Sequence, residues 1–280
     1  MSKQDTSEII APGARLQLLS SQFAFTEGPA PDREGAVYFT DQPNDQIWKW
    51  SPEGALTVFL DKAGRSNGLY LDREGNLLAC ADEHNELWSI GKDKKIAVLA
   101  RGFKGRRLNG PNDLWIHPGG GIYFTDPYYQ RPYWTRQQPE LEGEKVFYLG
   151  TGRKEPVPVA EDLEKPNGII GTPDGRYLYV ADIGADKTYR YTIAADGSLE
   201  DRRLFLQQGS DGMTLDHLGN VYLTGNGITV YNPEGRKIAH IQVPAKWTAN
   251  VCFGGKEKKT LFITASESIY LLEMNVHGVE

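Results

Sequence analysis

The sequence predicts an all-β fold, a six-bladed β-propeller that forms a single domain over residues 1–280. Three observations lead to this prediction: short runs of β-branched and aromatic residues broken by Gly, Asn and Asp, an almost complete lack of helical periodicity, and a repeat that occurs six times. The composition agrees, because 31 Gly and 16 Pro indicate many turns among 14 Tyr and 6 Trp. A length of 280 residues is normal for a propeller.

The repeat consists of a turn with Gly followed by a strand that often ends in a small residue and Asp. Four strands in about 40–50 residues are the unit of a propeller blade. The repeat ends are 41, 44, 56, 43 and 40 residues apart, which fits one blade per copy with an insertion in the third. These ends are Asp41, Asp82, Asp126, Asp182, Gly225 and Ala265. The outer strands expected in the first two blades are Gln46–Trp50, Leu56–Leu60, Glu86–Ile90 and Ile96–Ala100.

The two ends of the chain predict how the propeller closes. Only one more strand, Ser268–Leu272, follows the last repeat, so the sixth blade lacks a fourth strand. The N-terminal strand near Arg15–Leu19 has no repeat of its own. We therefore expect this strand to complete the sixth blade, which removes exposed sheet edges. A two-sheet sandwich is the alternative, and six copies in one register disfavour it.

One oxygen-bearing residue precedes the innermost strand of each blade at the same register. The offset from this residue to the end of its repeat is 14 or 15 residues in all six copies. The first strand of a blade lines the central channel, so we expect the six positions to form a ring around it. These ring residues are Glu27, Asn67, Asn112, Asn167, Asp211 and Asn250.

The chemistry of the ring residues predicts one divalent metal. They are carboxylates and amides without His or Cys, and such hard oxygen ligands suit Ca²⁺ or Mg²⁺ better than Zn²⁺. Ca²⁺ fits best because it accepts neutral carbonyl ligands and irregular geometry, with Mg²⁺, Mn²⁺ and Zn²⁺ as alternatives. The competing interpretation is that Asn-Gly and Asp-Gly are ordinary turn dipeptides. A hairpin turn, however, gives no reason for Glu27.

Several short segments resemble the gluconolactonase family, which also contains regucalcin and the luciferin-regenerating enzyme. The resemblance extends from about Phe25 to Leu272 and is closest to the bacterial gluconolactonases. It implies a lactonase, a hydrolase that opens a small lactone such as gluconolactone with the help of a bound metal. The segments that carry it are Glu27–Pro29, Leu108–Leu114, Tyr123–Tyr128, Pro166–Gly168 and Ser210–Met213.

The resemblance also implies roles for individual residues. Glu27, Asn167 and Asp211 match the three protein ligands of the metal. Asn112 matches a position that touches substrate and binds the metal directly or through water. Asp113 matches an acidic neighbour of that position.

A mechanism consistent with the ring needs a general base for water. Asp211 is the first candidate, as ligand and base together, and Asp113 is the second. Asn67 is a further candidate for substrate binding. One departure concerns Gly110, since some sugar-lactone members have Arg two residues before the Asn that matches Asn112. A substrate contact is therefore missing or supplied elsewhere.

The insertion in the third blade, residues 127–144, is rich in aromatic residues and Arg. The connection after the second strand of a blade lies at the same end as the ring residues, so this loop can overhang the metal, and long loops are often lids. The candidate substrate contacts are Tyr128, Tyr129, Tyr133, Trp134 and Arg136. The alternative is a loop that packs only on its neighbours.

Charge, hydropathy and cysteine usage exclude several classes of protein. The net charge of −6 gives no basic footprint for nucleic acid, and no stretch approaches the roughly 20 apolar residues that span a membrane. Residues 1–8 lack an apolar run beside a basic one, so we expect no export signal. Cys80 and Cys252 lie in apolar runs and are expected to be buried free thiols. These features predict a cytoplasmic location.

Two other functions compete with the lactonase. One is a phosphotriesterase of the diisopropyl fluorophosphatase type, which has a similar fold and metal ring. The other is a propeller that binds Ca²⁺ or a partner without catalysis. A serine hydrolase is disfavoured because the sequence lacks a Gly-x-Ser-x-Gly elbow. His117 and His217 stand in the repeat turns and are expected to be surface turn residues.

Overall fold

The protein is a six-bladed β-propeller, as the sequence predicts. The computed structural model describes residues 8–280, and these form six four-stranded antiparallel sheets and one short hairpin. Residues 1–7, which carry most of the expectation about an export signal, lie outside the described residues. The chain divides into two compact units of three blades each. The first unit comprises the chain up to Asp61 together with Asp211–Glu280, and the second comprises Lys62–Ser210.

The first three blades follow an N-terminal strand, β1 (Gln17–Ser20). Blade one contains β2 (Thr26–Pro31), β3 (Val37–Asp41), β4 (Gln46–Trp50) and β5 (Leu56–Asp61), with a 3-10 helix at Gln42–Asn44. Blade two contains β6 (Leu69–Leu71), β7 (Leu77–Ala81), β8 (Glu86–Ile90) and β9 (Ile96–Ala100). The short hairpin consists of β10 (Gly102–Phe103) and β11 (Arg106–Arg107). Blade three contains β12 (Leu114–Ile116), β13 (Ile122–Asp126), β14 (Glu144–Leu149) and β15 (Val157–Leu163).

The last three blades repeat this arrangement. Blade four contains β16 (Pro166–Gly171), β17 (Tyr177–Asp182), β18 (Lys187–Ile193) and β19 (Leu199–Leu206). Blade five contains β20 (Met213–Leu215), β21 (Val221–Gly225), β22 (Gly227–Tyr231) and β23 (Lys237–Ile241). Blade six contains β24 (Asn250–Gly254), β25 (Thr260–Ala265) and β26 (Ser268–Glu273).

The N-terminal strand completes blade six. Its sheet has the order β1-β26-β25-β24, and Gln17 pairs with Leu271. The predicted closure is therefore confirmed, although the strand begins two residues later than expected. The predicted strands of blades one and two coincide with β4, β8 and β9, and β5 extends one residue further.

The cores lie between neighbouring sheets within each unit. The second strand of every blade ends in a run that is buried on both faces, so its apolar residues follow one another instead of alternating with exposed polar residues. In the first unit Phe39 packs 5.5 Å from Phe262, joining blades one and six. In the second unit Phe124 of blade three belongs to the same core cluster as Cys80 of blade two.

Both cysteines belong to these cores as free thiols, as the sequence predicts. Burial raises the pKa of Cys80 and of Cys252 well above the usual range, so both behave as small apolar side chains. Across residues 8–280, no helix has the length and apolar character needed to span a bilayer.

Candidate functional site

The ring residues occupy one position in every blade, at the start of the innermost strand. Glu27 and Asn167 are the second residues of β2 and β16, and Asn250 is the first residue of β24. The other three, Asn67, Asn112 and Asp211, stand two residues before β6, β12 and β20. Five of the six are buried and Asp211 is half-buried. The register predicted from the sequence is therefore present within each blade.

The glycines that follow two ring residues are required by close approach, and not by a hairpin turn. A β-carbon added at Gly68 would lie 2.6 Å from Asp113 Oδ1. A β-carbon added at Gly212 would lie 2.0 Å from the side-chain Cγ of Asn250. Neither glycine has a positive φ. The turn-dipeptide interpretation fails at these two sites, because the glycine makes room for the next blade.

In the second unit, Asn167 has the features expected of a metal ligand. Its side-chain Nδ2 donates to the hydroxyl oxygen of Tyr129 at 3.1 Å. Its Oδ1 is buried and accepts no hydrogen bond. A buried acceptor without a partner costs about 1–3 kcal/mol, and a cation bound at this oxygen would remove that penalty. With Nδ2 on the Tyr129 hydroxyl, Oδ1 is the amide atom that lacks a hydrogen-bond partner.

The other two ring residues of the second unit, Asn67 and Asn112, are held by hydrogen bonds of their backbone N–H groups. The N–H of Asn112 donates to Thr125 O at 2.9 Å, and that of Asn67 donates to Cys80 O at 2.9 Å. Asp113 Oδ1 accepts the N–H of Leu114 at 2.9 Å, which turns this buried carboxylate back onto its own strand.

In the first unit, two carboxylates occupy ring positions. Glu27 Oε2 accepts the N–H of Gly28 at 3.0 Å. Asp211 Oδ2 accepts the indole N–H of Trp247. Among residues 8–280, no group of three or more His, Cys, Asp and Glu side chains is arranged to hold a metal. A metal here would therefore need the amide oxygens as well as the carboxylates.

Trp247 is a site residue that the sequence did not reveal. It is 37% exposed, a high value for Trp, and its indole contacts a ring carboxylate. A signal was available, because Trp247 stands three residues before the ring residue Asn250. The other blades have small or polar residues there, namely Ala24, Gly64, Asn109, Glu164 and Gln208.

The Asp at the end of three repeats fixes the approach to the ring residue. Its carboxylate accepts the backbone N–H groups of the residues three and two positions before the ring residue, at 2.8 to 3.2 Å. The bonds join Asp41 to Ala24 and Phe25, Asp126 to Asn109 and Gly110, and Asp182 to Glu164 and Lys165. Burial raises the pKa of Asp126 to about 7, against the opposing effect of its two N–H donors. The repeat motif thus has a structural cause.

Asp82 is the exception among these carboxylates. Its Oδ2 accepts the Nε–H of Arg131 at 2.9 Å and the hydroxyl of Tyr133. Its backbone oxygen accepts the indole N–H of Trp134 at 3.0 Å. Burial raises the pKa of Asp82, while Arg131 and Tyr133 pull it down. All three partners belong to residues 127–143, the connection between β13 and β14, which we call the aromatic loop.

Of the five candidate substrate contacts in the aromatic loop, Tyr129 is bonded to a ring residue. Tyr129 contacts Asn167, with Lys165 Nζ 4.7 Å from its ring centre. Trp134 is buried against Asp82, and Arg136 donates to the backbone oxygens of Leu108 and Asn109. The alternative, a loop that packs on its neighbours, therefore describes Trp134 and Arg136. The role of the loop residues in substrate binding stays a prediction.

The loop also explains the departure at Gly110. A β-carbon added there would lie 2.9 Å from Asp82 Oδ1 and 3.0 Å from Cη2 of Trp134. The space that a longer side chain would need is filled by the loop. Gly110 and the aromatic loop are thus two parts of one feature.

Two histidines follow the innermost strands of blades three and five, whereas the ring residues precede these strands. His117 and His217 stand in the turns at the other end of the innermost strands, as predicted. His117 is half-buried, with Nε2 3.1 Å from Gly175 O, while the exposed His217 stacks on His277 at 4.0 Å.

These observations define a class of protein, the six-bladed propellers with an oxygen-bearing residue at the start of each innermost strand. The family model described as "SMP-30/Gluconolactonase/LRE-like region" matches residues 25–267. The chain therefore belongs to this family, and the resemblance seen in the sequence is confirmed.

Individual relatives agree with this assignment. The chain is 27% identical to a gluconolactonase of Zymomonas mobilis, over 94% of this chain and 82% of the relative. A solved structure described as a putative gluconolactonase superposes with a TM-score of 0.91 at 31% identity, covering 100% of this chain and 98% of the other. A gluconolactonase from Xanthomonas campestris superposes with a TM-score of 0.88 at 28% identity, covering 96% and 91%.

Proposed function

We propose that this protein is a metal-dependent lactonase that opens a small sugar lactone, with gluconolactone as the first candidate. The observation that carries the proposal is the buried Oδ1 of Asn167, which accepts no hydrogen bond at a ring position. Relatives named gluconolactonase and, in Haloferax volcanii, pentonolactonase support the substrate class.

Four ring residues would hold the metal: Glu27, Asn112, Asn167 and Asp211. The set offers two carboxylates and two amide oxygens, and Ca²⁺ is the ion that suits such a mixed oxygen set best. A cation held by these residues would polarise the lactone carbonyl and would stabilise the negative charge that develops on the carbonyl oxygen.

Asp211 is the general base that we favour. Its carboxylate is half-buried, so water reaches it, and the indole N–H of Trp247 fixes one of its oxygens. Asp211 accepts a proton from the attacking water, and the new bond forms at the carbonyl carbon. The bond between the carbonyl carbon and the ester oxygen of the lactone then breaks. That ester oxygen takes up the proton, which gives the hydroxy acid. Asp113 is the weaker candidate because it is buried with Oδ1 on a backbone N–H.

The test is hydrolysis of a lactone panel led by glucono-1,5-lactone, after chelation and re-addition of Ca²⁺, Mg²⁺, Mn²⁺ or Zn²⁺. Asp211→Ala should abolish turnover, whereas Asp196→Ala, which changes a carboxylate in an exposed turn, should leave it intact. Diisopropyl fluorophosphate is included to test the phosphotriesterase alternative. Absence of lactone turnover with any metal, while the metal is shown to bind, would reject the lactonase.

We further propose that residues 1–280 act as one domain in the cytoplasm, which the two free thiols support. A single unfolding transition in calorimetry and recovery in the cytoplasmic fraction would agree with this. Two separate transitions, or recovery outside the cytoplasm, would contradict it.

A further inference from the structure

We propose that Asp82 is a positioning residue that fastens the aromatic loop, so that Tyr129 is held against the ring residue Asn167. The side chain of Asp82 binds Arg131 and Tyr133 of the loop. It would act through the loop. The effect on turnover rests on the proposed function, while the effect on the loop does not.

The first step of the argument is that Asp82 departs from the other repeat-end carboxylates. In blades one, three and four the carboxylate of this Asp accepts two backbone N–H groups from the segment that leads into its own blade. The corresponding backbone in blade two has a different conformation, since Gly64 and Arg65 have φ values of 66° and 46°. Asp82 Oδ2 accepts bonds from Arg131 and Tyr133 of the loop.

The second step is that the loop supplies the positive charge and the hydrogen-bond donors that the buried Asp82 carboxylate needs. Asp82 is 2% exposed, and a buried carboxylate needs both a positive charge and hydrogen-bond donors. Arg131 provides both, Tyr133 adds a hydroxyl donor, and Trp134 binds the backbone oxygen of the same residue. Four consecutive loop positions, 131–134, therefore carry three bonds to one buried residue.

The third step connects this fastening to the ring. Tyr129 is only two residues before Arg131, so fixing Arg131 restricts where Tyr129 can lie. The guanidinium carbon of Arg131 is also 5.5 Å from the ring centre of Tyr129. Tyr129 in turn holds the Nδ2 side of Asn167, which directs Oδ1 away from it. The chain of contacts runs from Asp82 through Arg131 and Tyr129 to Asn167.

The alternative is a purely structural pair that stabilises the fold without affecting the site. Other contacts also hold the loop, since Lys165 Nζ donates to Tyr128 O at 3.0 Å and Arg136 donates to Leu108 O at 3.1 Å. If these contacts were sufficient, loss of the bonds at Asp82 would leave Tyr129 in place. The two interpretations therefore differ in a measurable way.

The mild test variant is Tyr133→Phe, which removes one hydroxyl donor from Asp82, and Asp82→Asn is the stronger one. The matched control is Tyr222→Phe, which removes a hydroxyl from the buried Asp216 in a turn of blade five, where Tyr222 donates at 2.9 Å. Hydrogen exchange of residues 127–143 is measured in all three, with thermal unfolding to show that each variant folds. We expect about tenfold faster exchange in the loop for the two Asp82-side variants and no change there for the control.

Kinetics on glucono-1,5-lactone then separate positioning from stability. We expect KM to rise about fivefold with kcat within twofold in Tyr133→Phe, because Tyr129 and Asn167 both remain and only their positioning is loosened. If the effect passes through Tyr129, the double variant Tyr133→Phe/Tyr129→Phe should be no worse than Tyr129→Phe alone. Additive effects, unchanged loop exchange, or faster exchange with an unchanged KM would each overturn the proposal.

If the wild-type protein opens no lactone, the proposed function is rejected. The inference about Asp82 is then tested by measuring Ca²⁺ binding. Calorimetric titration with Ca²⁺ should then give a higher Kd for Asp82→Asn and Tyr133→Phe than for wild type and Tyr222→Phe. An unchanged Kd, or no Ca²⁺ binding at all, would overturn the inference as well.

Discussion

Two ring residues, one in each unit, contact an aromatic side chain, but the two contacts are built differently. In the second unit Tyr129 reaches Asn167 from the aromatic loop, which has 17 residues between β13 and β14. In the first unit Trp247 reaches Asp211 from the segment 242–249, which has eight residues between β23 and β24. The longer connection is fastened by an ion pair between the buried Asp82 and the half-buried Arg131, and the shorter one is held by local hydrogen bonds.

The local hydrogen bonds around Trp247 arise because the sixth repeat departs from the common motif. Its repeat ends in Ala265 instead of Asp, and Ser266 takes over part of the Asp role. The hydroxyl of Ser266 accepts the N–H of Trp247 at 3.1 Å and donates to its backbone oxygen at 3.2 Å. Thr248 adds a bond to Gly225 O at 2.9 Å. A short segment needs only such neighbours, whereas a long loop has more conformational entropy to lose and needs a stronger anchor.

The largest expected effect on activity comes from changing Asp211, the ring residue that contacts Trp247 in the first unit. Asp211→Asn should lower kcat/KM on glucono-1,5-lactone by about 10²- to 10³-fold, because a ligand charge and the general base are both lost. The indole of Trp247 can still donate to the amide oxygen, so the melting temperature should change little. Asn167→Asp keeps an oxygen at the second-unit contact and should change kcat/KM by less than about tenfold. Activity of Asp211→Asn above one tenth of wild type would break this contrast.

The next effect concerns the anchor of the aromatic loop. Arg131→Met should lower the free energy of unfolding by about 3 kcal/mol, because Asp82 would remain buried without its counter-charge. The control is Arg176→Met in the exposed pair with Asp174, which should leave the free energy of unfolding nearly unchanged. Urea denaturation measures both. Equal losses would show that the loop is not anchored by a buried charge.

A smaller effect is expected where the loop meets blade three. Gly110→Ala should cost about 2 kcal/mol, since the new β-carbon would press on Asp82 Oδ1 and the Trp134 ring. Gly105→Ala is the control, because Gly105 has a positive φ but open space around it, and its cost should stay near 1 kcal/mol. Urea midpoints at an unchanged slope give the difference. A lower cost at Gly110 than at Gly105 would mean that the loop yields easily.

The smallest effect sharpens the comparison at Trp247. Trp247→Phe keeps an aromatic ring but removes the N–H donor, so kcat/KM should fall about five- to tenfold, equivalent to about 1 kcal/mol. Trp48→Phe removes a similar indole bond, to Gln46 at 3.1 Å in blade one, and should leave activity unchanged. Steady-state kinetics of both variants provide the measurement. Wild-type kinetics in Trp247→Phe would mean that the indole does not orient Asp211.

The sequence predicted the blades and the ring register because both depend on local patterns. Turn residues, apolar strands and a fixed offset of 14 or 15 residues are enough to mark the start of each innermost strand. The sequence predicted Tyr129 as a candidate substrate contact, but it predicted Trp134 and Arg136 in the same role. It offered no way to distinguish a tyrosine that contacts Asn167 from a tryptophan that packs on Asp82.

By itself, then, the sequence determined the propeller, its closure by the N-terminal strand and the set of ring residues. Tertiary structure alone decided that Asp82 binds the loop while Asp41, Asp126 and Asp182 bind their own blades, although all four stand in the same motif. It also brought Trp247 to Asp211, which is 36 residues away in the chain. The physical reason is that repeat motifs encode bonds within a blade. Contacts across long chain separations depend on backbone dihedrals and open space, such as those at Arg65 and Gly110, that no local pattern records.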